Sequence, residues 1–363
     1  MNVLKSNIFI AGINVRDTGQ ILSLSHLSRG SMPFRYLGIP LVAERLKVAH
    51  FEELTKKIRT YIDGWSALTL SYAGRAELIR SVLQGVECYW LSIFPLPDAV
   101  CTKIVKLCRN FLWGTSSKKI AWSSICLPKS EGGLGFRDLR AWNNSLLAKT
   151  LWNIHAKKDT LWHKWIQHVY LRNRPLLDCH KIKGRNQTYE FFRPAGTEIS
   201  WHNVVWAAGI TPKHAFSLWI VARSRLQTKD RIRHIEIEDS CSFCARQQET
   251  AIHLFFSCPF SATIWAEIRA WIGIKRKMST LSSGLKWLKK EAKGTSRQSK
   301  VKCIAFATTV YHIWNARNRL IFEDEVPNPN YVIHHIKTHV YKVMFSLYPS
   351  VLIDLENLAI GDS

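Results

Sequence analysis

The chain has 363 residues, of which 47% are hydrophobic and 21% are charged. This length fits two or three domains of ~100–200 residues each, and the composition excludes a chain that is disordered throughout. Lys and Arg number 51 against 27 Asp and Glu, which gives a formal net charge of +24. Such an excess indicates a polyanionic partner, of which nucleic acid is the commonest, while a basic surface that serves only solubility is the alternative.

No signal peptide or membrane span is visible, because every apolar stretch is shorter than the ~20 residues that a span needs. The longest stretch, residues 86–96, is interrupted by Glu87 and Pro95. The nine cysteines are scattered and do not form the disulfide framework of a small secreted protein. We therefore expect an intracellular protein with reduced thiols and no membrane partner.

The first residues predict short β structure. Alternating apolar residues favour a strand pair, residues 6–10 and 13–15, around a turn at Ala11 and Gly12. Two prolines and a glycine within residues 31–41 are typical of a bend-rich connector.

Residues 46–172 show the apolar spacing of three and four positions that indicates amphipathic helices. We predict helices over residues 51–62, from 73, from 98 to 112, over 139–154 and beyond 162. The polar face of the first helix carries Lys56, Lys57 and Arg59. Glycines at 132, 133 and 135 predict a structural turn, because the Lys-Ser/Thr pair of a phosphate-binding loop does not follow them.

The composition changes in the second half of the chain. Residues 176–197 are the clearest linker candidate, because their apolar positions follow no period. An aromatic-rich region, residues 201–274, follows and contains the one close group of cysteines. Residues 275–302 hold ten basic side chains against one acidic one and predict an exposed, mobile basic segment. Two helices, residues 301–322 and 331–347, close the chain.

The pattern Cys-x2-Cys-x8-His-x4-Cys is the strongest chemical signal in the sequence. Its members are Cys241, Cys244, His253 and Cys258. Two cysteines separated by two residues can hold one ion from a tight turn, and a histidine and a cysteine can complete a tetrahedron. Four protein ligands leave no open position, so a bound Zn²⁺ would be structural. The alternative is that these four side chains merely pack together.

Motifs spread over residues 34–265 occur in an order that one known family shares. They are residues 34–41, 65–67, 70–75, 89–97, 111–114 and 126–135, followed by Trp219, residues 225–226 and 228–231, the Cys/His pattern, residues 249–250 and Trp265. Together they resemble the C-terminal part of the reverse transcriptase of plant LINE-type (non-LTR) retrotransposons, a class of transposable element. The second group is similar to the zinc-binding domain of those enzymes.

The resemblance implies the end of the palm over residues 1–45, a helical thumb-like region over 46–172 and a zinc-binding domain over 201–274. Composition and apolar spacing add a linker over 173–200, the basic segment over 275–300 and C-terminal helices over 301–363. The predicted fold class is therefore mainly α: a helical thumb-like domain with a short N-terminal β remnant, a small zinc-binding module and C-terminal helices. The family's polymerase carries a Tyr/Phe-x-Asp-Asp turn, and this sequence contains no Asp-Asp pair. We therefore expect the chain to start just after the catalytic palm, with an internal deletion near residues 180–188, and predict no catalytic residues.

The resulting hypothesis is a non-catalytic, zinc-binding remnant that binds the backbone of RNA or DNA and takes no small-molecule substrate. Its candidate nucleic-acid-binding residues are Lys56, Lys57, Arg59, Lys286, Lys289, Lys290 and Lys293. Two alternatives stay open: a structural or protein-interaction module, and a vestigial open reading frame without a selected role.

Overall fold

The computed structural model describes residues 6–10, 12–42, 46–114, 120–156, 160–171, 185–232, 238–292, 294 and 296–349. The described residues are predominantly helical with a few short strands, which confirms the predicted mainly α fold class. They divide into two compact units. The first comprises Met1–Leu68, Ile79–Phe111 and Asp138–Arg193, and the second comprises Thr69–Leu78, Leu112–Arg137 and Pro194–Ser363. No helix in the described part of the chain has the length and apolar character that a membrane crossing requires.

The N-terminal strands pair differently from the prediction. Strand β1 (Asn7–Ile8) pairs in parallel with β2 (Ser28–Arg29), and helix α1 (Val15–Ser25) lies between them in the chain. The predicted second strand is wrong because the Asn14 side chain accepts a hydrogen bond from the Asp17 N–H at 2.8 Å and so caps a helix. Ala11 of the predicted turn lies outside the described residues.

The predicted connector over residues 31–41 contains a β-hairpin. Strand β3 (Phe34–Tyr36) pairs antiparallel with β4 (Ile39–Leu41). Leu37 and Gly38 form the two-residue turn with φ angles of 50° and 79°. Positive φ at both central positions is the geometry that matches strand twist in tight hairpins, and glycine adopts it without strain.

The predicted helices of residues 46–172 are present. Besides α1, the described helices that contribute to the first unit are α2 (Glu52–Ser66), α4 (Gln84–Leu91), α5 (Asp98–Trp113), α7 (Leu139–His155), α8 (Leu161–Ile166) and α9 (Arg185–Phe192). The Asn143 amide of α7 donates to the carbonyl oxygens of Leu91 and Phe94 at 2.7 and 2.8 Å and accepts from the Leu96 N–H at 2.9 Å. This buried side chain satisfies the backbone groups where the chain leaves α4.

Part of the predicted linker is helical. Helix α9 lies within it, and the Tyr189 hydroxyl of this helix accepts a hydrogen bond from the Asp138 N–H at 2.9 Å. The aromatic ring also packs edge-on against Trp142. Residues 172–184 lie outside the described part of the chain.

The second unit is built on long helices. Its helices are α3 (Tyr72–Leu78), α6 (Trp122–Cys126), α10 (His202–Val205), α11 (Pro212–Ala222), α12 (Pro259–Trp271), α13 (Leu281–Glu291), α14 (Arg297–Phe322) and α15 (Pro329–Leu347). Trp219 of α11 is fully buried, and its indole N–H donates to the Gly132 carbonyl oxygen at 2.8 Å. A Cβ on Gly133 would lie 1.8 Å from the Leu127 carbonyl oxygen. The glycine-rich motif is thus a structural turn held against α11.

The predicted basic segment over residues 275–302 is exposed at Lys275, Arg276 and Lys277, and part of it is helical. Helix α13 buries Leu285 and Leu288 while Lys286, Lys289 and Lys290 stay exposed. The leucines recur at helical spacing, and their burial fixes a segment whose charge alone suggested disorder. In the first unit, Trp162 and Trp165 of α8 are 46% and 51% exposed and so do not lie in the core.

Candidate metal centre

A tight turn presents the first two cysteines. Ser240 and Gln248 form an antiparallel bridge, and the Cys241 N–H donates to the Gln247 carbonyl oxygen at 2.7 Å. The Ala245 N–H then donates to the Cys241 carbonyl oxygen at 2.8 Å, with Ala245 in the left-handed region at φ 51°. This reversal directs the thiols of Cys241 and Cys244 to the same side.

A π-helical turn, His253–Ser257, presents the other two side chains. The Thr250 hydroxyl accepts from the His253 N–H at 3.1 Å, and the Cys258 N–H donates to the His253 carbonyl oxygen at 2.7 Å. Cys258 is the N-cap residue of α12, and Pro259 occupies the first helical position. A thiolate at a helix N-terminus is stabilised by the helix dipole, so this position suits a charged sulfur.

The four ligand atoms converge. All lie within 4.8 Å of one another. The Cys241 and Cys258 sulfurs are 3.9 Å apart, and the Cys244 sulfur lies 3.3 Å from His253 Nε2. Tetrahedral zinc with Zn–S bonds of ~2.3 Å and Zn–N bonds of ~2.1 Å requires ligand separations of about 3.5–3.8 Å. The residues therefore fit a tetrahedral metal ion, and we refer to them as the Cys3His cluster.

Hydrogen bonds and burial act on the pKa values of the cysteine thiols in the cluster. The pKa of the Cys241 thiol is lowered to about 5, chiefly by its hydrogen bond with Cys258 and, against the effect of burial, by the N–H groups of Cys244 and Phe243. The same hydrogen bond, together with burial, raises the pKa of Cys258. A divalent cation would offset the repulsion between two adjacent thiolates and hold both deprotonated. His253 is buried, and its Nδ1 atom has no hydrogen-bond partner among the described residues.

A buried carboxylate connects the cysteine turn to the rest of the unit. Glu249 is fully buried, and one of its oxygens accepts from Arg317 Nη2 and Nε at 2.6 and 3.1 Å. The other oxygen accepts from the Ser242 hydroxyl at 2.7 Å. Burial alone would raise the pKa of Glu249, but Arg317 and Ser242 reverse that effect and lower it.

A short 3₁₀ turn, Lys229–Arg231, contacts the same cysteine turn. The Lys229 N–H donates to Glu249 at 3.1 Å, and the Lys229 ammonium group donates to the Ser240 carbonyl oxygen at 2.8 Å. Sequence reasoning identifies residues 228–231 only as part of a family motif and misses Arg317 entirely. No local signal could identify Arg317, because it lies 68 positions from its partner.

The predicted nucleic-acid-binding residues belong to both compact units. Lys56, Lys57 and Arg59 are exposed on α2 in the first unit. Lys286, Lys289 and Lys290 are exposed on α13 in the second unit, and Lys293 lies outside the described residues. None of the described ones belongs to the Cys3His cluster.

Comparisons with known proteins agree with this geometry. Residues 185–265 match the family described as zinc-binding in reverse transcriptase. A protein of Arabidopsis thaliana named "Putative ribonuclease H protein" is 33% identical over 137 residues, which are 36% of this chain and 22% of that protein. An Arabidopsis thaliana protein named "Uncharacterized mitochondrial protein" is 32% identical over 97 residues, which are 25% of this chain and 63% of that protein.

The chain spans less than two thirds of the length of either relative. The family match, by contrast, contains all four residues of the Cys3His cluster. The sequence resemblance is therefore confirmed, because residues 185–265 of this chain match the family of zinc-binding regions of reverse transcriptases.

Proposed function

We propose that this chain is a non-catalytic module that holds one structural Zn²⁺ and binds nucleic acid through the phosphate backbone. The observation that carries the proposal is the Cys3His cluster within the family match, in a chain of net charge +24. Zinc is favoured because thiolate and imidazole ligands prefer it to hard cations. Four protein ligands leave no open coordination position, so the ion would support the fold.

A groove along α2 supports binding to phosphates. It has a volume of about 630 Å³ and is lined by five basic side chains and two acidic ones. Arg35 pairs with Glu53 at 2.8 Å, which leaves Lys56, Lys57, Arg59 and Lys103 in excess over Glu52. A positive groove of this kind attracts a polyanion without reading its sequence.

The exposed face of α13 supports the same role. Its lysines are displayed on a helix whose opposite face is buried, so their spacing is fixed. Fixed cations lose less side-chain and backbone entropy on binding than cations on a mobile segment. Backbone contacts of this type bind all sequences alike and weaken strongly as salt is added.

The non-catalytic part of the proposal rests on the absence of an Asp-Asp pair from the sequence. Template-directed nucleotide addition relies on carboxylates that hold two metal ions ~4 Å apart. We expect no nucleotide incorporation on a primed template at any Mg²⁺ or Mn²⁺ concentration. The name of the first relative refers to ribonuclease H, so the same preparation should also be assayed for cleavage of an RNA–DNA hybrid. Either activity, if it co-elutes with the chain through purification, contradicts the proposal.

Salt-dependent titration tests nucleic-acid binding. If six or more phosphates are neutralised, the affinity should fall by roughly 10³-fold or more between 50 and 200 mM salt. Two variants should flatten this dependence: Lys56, Lys57 and Arg59 changed to Gln, and Lys286, Lys289, Lys290 and Lys293 changed to Gln. The control changes Lys213 and Lys342, which are exposed elsewhere in the second unit, to Gln. A shallow slope in the unmodified chain would favour the structural or protein-interaction alternative.

A further inference from the structure

A cavity lies beside the metal centre in the second unit. Its volume is about 390 Å³, within the ~300–1,000 Å³ range of small-ligand sites. Its walls come from the end of α11, the His253–Ser257 turn and the start of α13. Because His253 begins the turn that forms one wall, the wall and the Cys3His cluster share the same backbone.

The interior of the cavity is apolar and aromatic. Phe255 and Phe256 contribute from the π-helical turn, and Leu226 and Leu285 complete the lining, all four being buried. Trp201 adds a partly exposed ring at the edge. Because Phe255 and Phe256 are buried, the Trp201 ring is the aromatic surface that a ligand can reach. A flat apolar group can leave water against this ring, which is the interaction that single-strand-binding proteins use for bases.

The mouth of the cavity is positively charged. Arg231 and Lys286 line it and are exposed, and none of the described residues that line it is acidic. Hydroxyl groups of Ser200, Ser282 and Thr280 supply hydrogen-bond donors and acceptors. A ligand that fits these walls combines a flat apolar ring, polar ring edges and neighbouring negative charge.

Positively charged side chains extend from the mouth of the cavity along α13. Ser282, Lys286 and Lys289 follow one another at four and three positions, so they lie on one face of the helix. The two lysines are about 4.5 Å apart along the helix axis, and Lys290 lies beside them. The lysine side chains of α13 therefore extend the positive surface away from the mouth of the cavity.

On the basis of the proposed nucleic-acid binding, we infer that this cavity receives an unpaired base of a single-stranded nucleic acid, with the flanking phosphates on Lys286 and Lys289. A paired base is stacked within a duplex and reaches such a cavity only after it is flipped out. Single strands should therefore bind more tightly than duplexes of equal length. The cavity thus adds a preference for strand type to the backbone contacts, which by themselves do not distinguish bases.

Blocking the cavity tests the inference. Ser282→Trp places a large ring at the mouth, and Ser279→Trp is the matched control, because Ser279 is exposed nearby and does not line the cavity. The probes are 12-nucleotide oligo-dT, oligo-rU and an abasic strand of equal length, and zinc content verifies that each variant is folded. The unmodified chain and Ser279→Trp should bind at least one of the base-containing strands fivefold or more tighter than the abasic strand, which corresponds to the lower end of ~1–3 kcal/mol for base stacking.

Ser282→Trp should reduce that preference to near unity, whereas Lys286→Gln should weaken binding to base-containing and abasic strands alike. The oligo-dT and oligo-rU arms distinguish DNA from RNA as the source of the base. A preference that is unchanged in Ser282→Trp overturns the inference and leaves the cavity to another occupant, such as a peptide side chain. Failure of the unmodified chain to bind any strand instead overturns the proposed function itself.

Photocrosslinking provides a second measurement that needs no variant. A single strand that carries 5-iodouridine should crosslink to the partly exposed ring at the edge of the cavity, and peptide mass spectrometry should locate the product at Trp201. Crosslinks that fall only on other parts of the chain would contradict base binding in the cavity.

Discussion

Glu249 and Arg317 form a buried ion pair of 2.6 Å that joins the cysteine turn to α14. The side chains are 0% and 5% exposed, and the same carboxylate also accepts from Ser242 and from the Lys229 N–H. Burial of two charges is costly unless they are paired and fully hydrogen-bonded, and both conditions are met here. The pair therefore fixes the position of the metal-binding turn against a long helix.

Removal of one partner should be strongly destabilising. Arg317→Leu leaves the Glu249 carboxylate buried without its counter-charge, so we expect the free energy of unfolding to fall by about 3–5 kcal/mol. Arg319→Leu is the control, because Arg319 lies on the same helix in exposed ion pairs with Glu323 and Glu325, and its loss should change the free energy of unfolding far less. Urea unfolding of the zinc-loaded proteins measures both. Equal losses in the two variants would show that the buried pair has no special role.

The metal centre gives a direct prediction. The purified chain should contain about one Zn²⁺, and Cys244→Ser should lose most of it, because a tetrahedral site with one weak ligand holds zinc less tightly. Cys88→Ser is the matched control, since Cys88 is also half-buried and lies outside the cluster. Elemental analysis after dialysis decides between the outcomes. Equal zinc contents in Cys244→Ser and the unmodified chain would rule out this ligand set.

A group of histidines should make the second unit sensitive to acid. The His214 ring lies 4.3 Å from the His339 ring and 5.8 Å from the His312 ring, measured between centroids. The pKa of His214 is lowered to about 2, first by burial and then by His339, His312 and Lys213. His214 is therefore neutral when folded and protonates on unfolding below pH ~6.5, so its contribution to stability is lost as the pH falls.

His214→Phe keeps a ring at this position and removes the titration. Between pH 7.5 and 5.5 the unmodified chain should lose about 1 kcal/mol more stability than this variant. Urea unfolding at both pH values measures the difference, and effects of pH on the metal centre cancel because both proteins carry it. Identical losses would contradict a neutral His214 in the folded chain.

Glu87 should have the opposite pH dependence in the first unit. It is 5% exposed, and burial raises its pKa to about 8. The folded chain then retains a proton that the unfolded chain releases above pH ~4.5, so stability falls as the pH rises toward 8. From pH 5.5 to 7.5 we expect a loss of about 2 kcal/mol, which Glu87→Gln should abolish. Unfolding of both proteins at the two pH values tests this, and a Gln variant with the same loss would refute it.

The correct predictions rest on two patterns in the sequence: the spacing of apolar residues and the spacing of candidate metal ligands. The spacing predicts α2, α5, α7, α14 and α15, because burial of one helical face requires it. The four candidate metal ligands lie within 18 positions, so local turns can bring them together. When local turns bring residues together, their proximity can be predicted from the sequence without knowledge of the tertiary structure.

The incorrect predictions arose where a local hydrogen bond or buried side chain opposed the average composition of the segment. Alternating apolar residues at positions 13–15 predict a strand, but Asn14 caps helix α1 there. The hydrogen bond that Asn14 accepts from a helix N–H constrains the backbone more strongly than alternation over three residues. The charge of residues 275–302 predicts an exposed, mobile segment, but burial of Leu285 and Leu288 makes residues 281–291 of it the helix α13. In both cases a few hydrogen bonds or buried methyl groups outweigh the average character of the segment.

Only the tertiary structure decided which distant residues support the metal centre and line the cavity beside it. Arg317 reaches Glu249 across 68 positions, and Trp201, Phe255 and Lys286 meet around one cavity from three separate elements. Such contacts depend on how helices pack, and packing is set by the combined shape of many buried side chains rather than by any short pattern. The sequence by itself therefore specified the candidate ligands of the metal, whereas the fold specified what surrounds them.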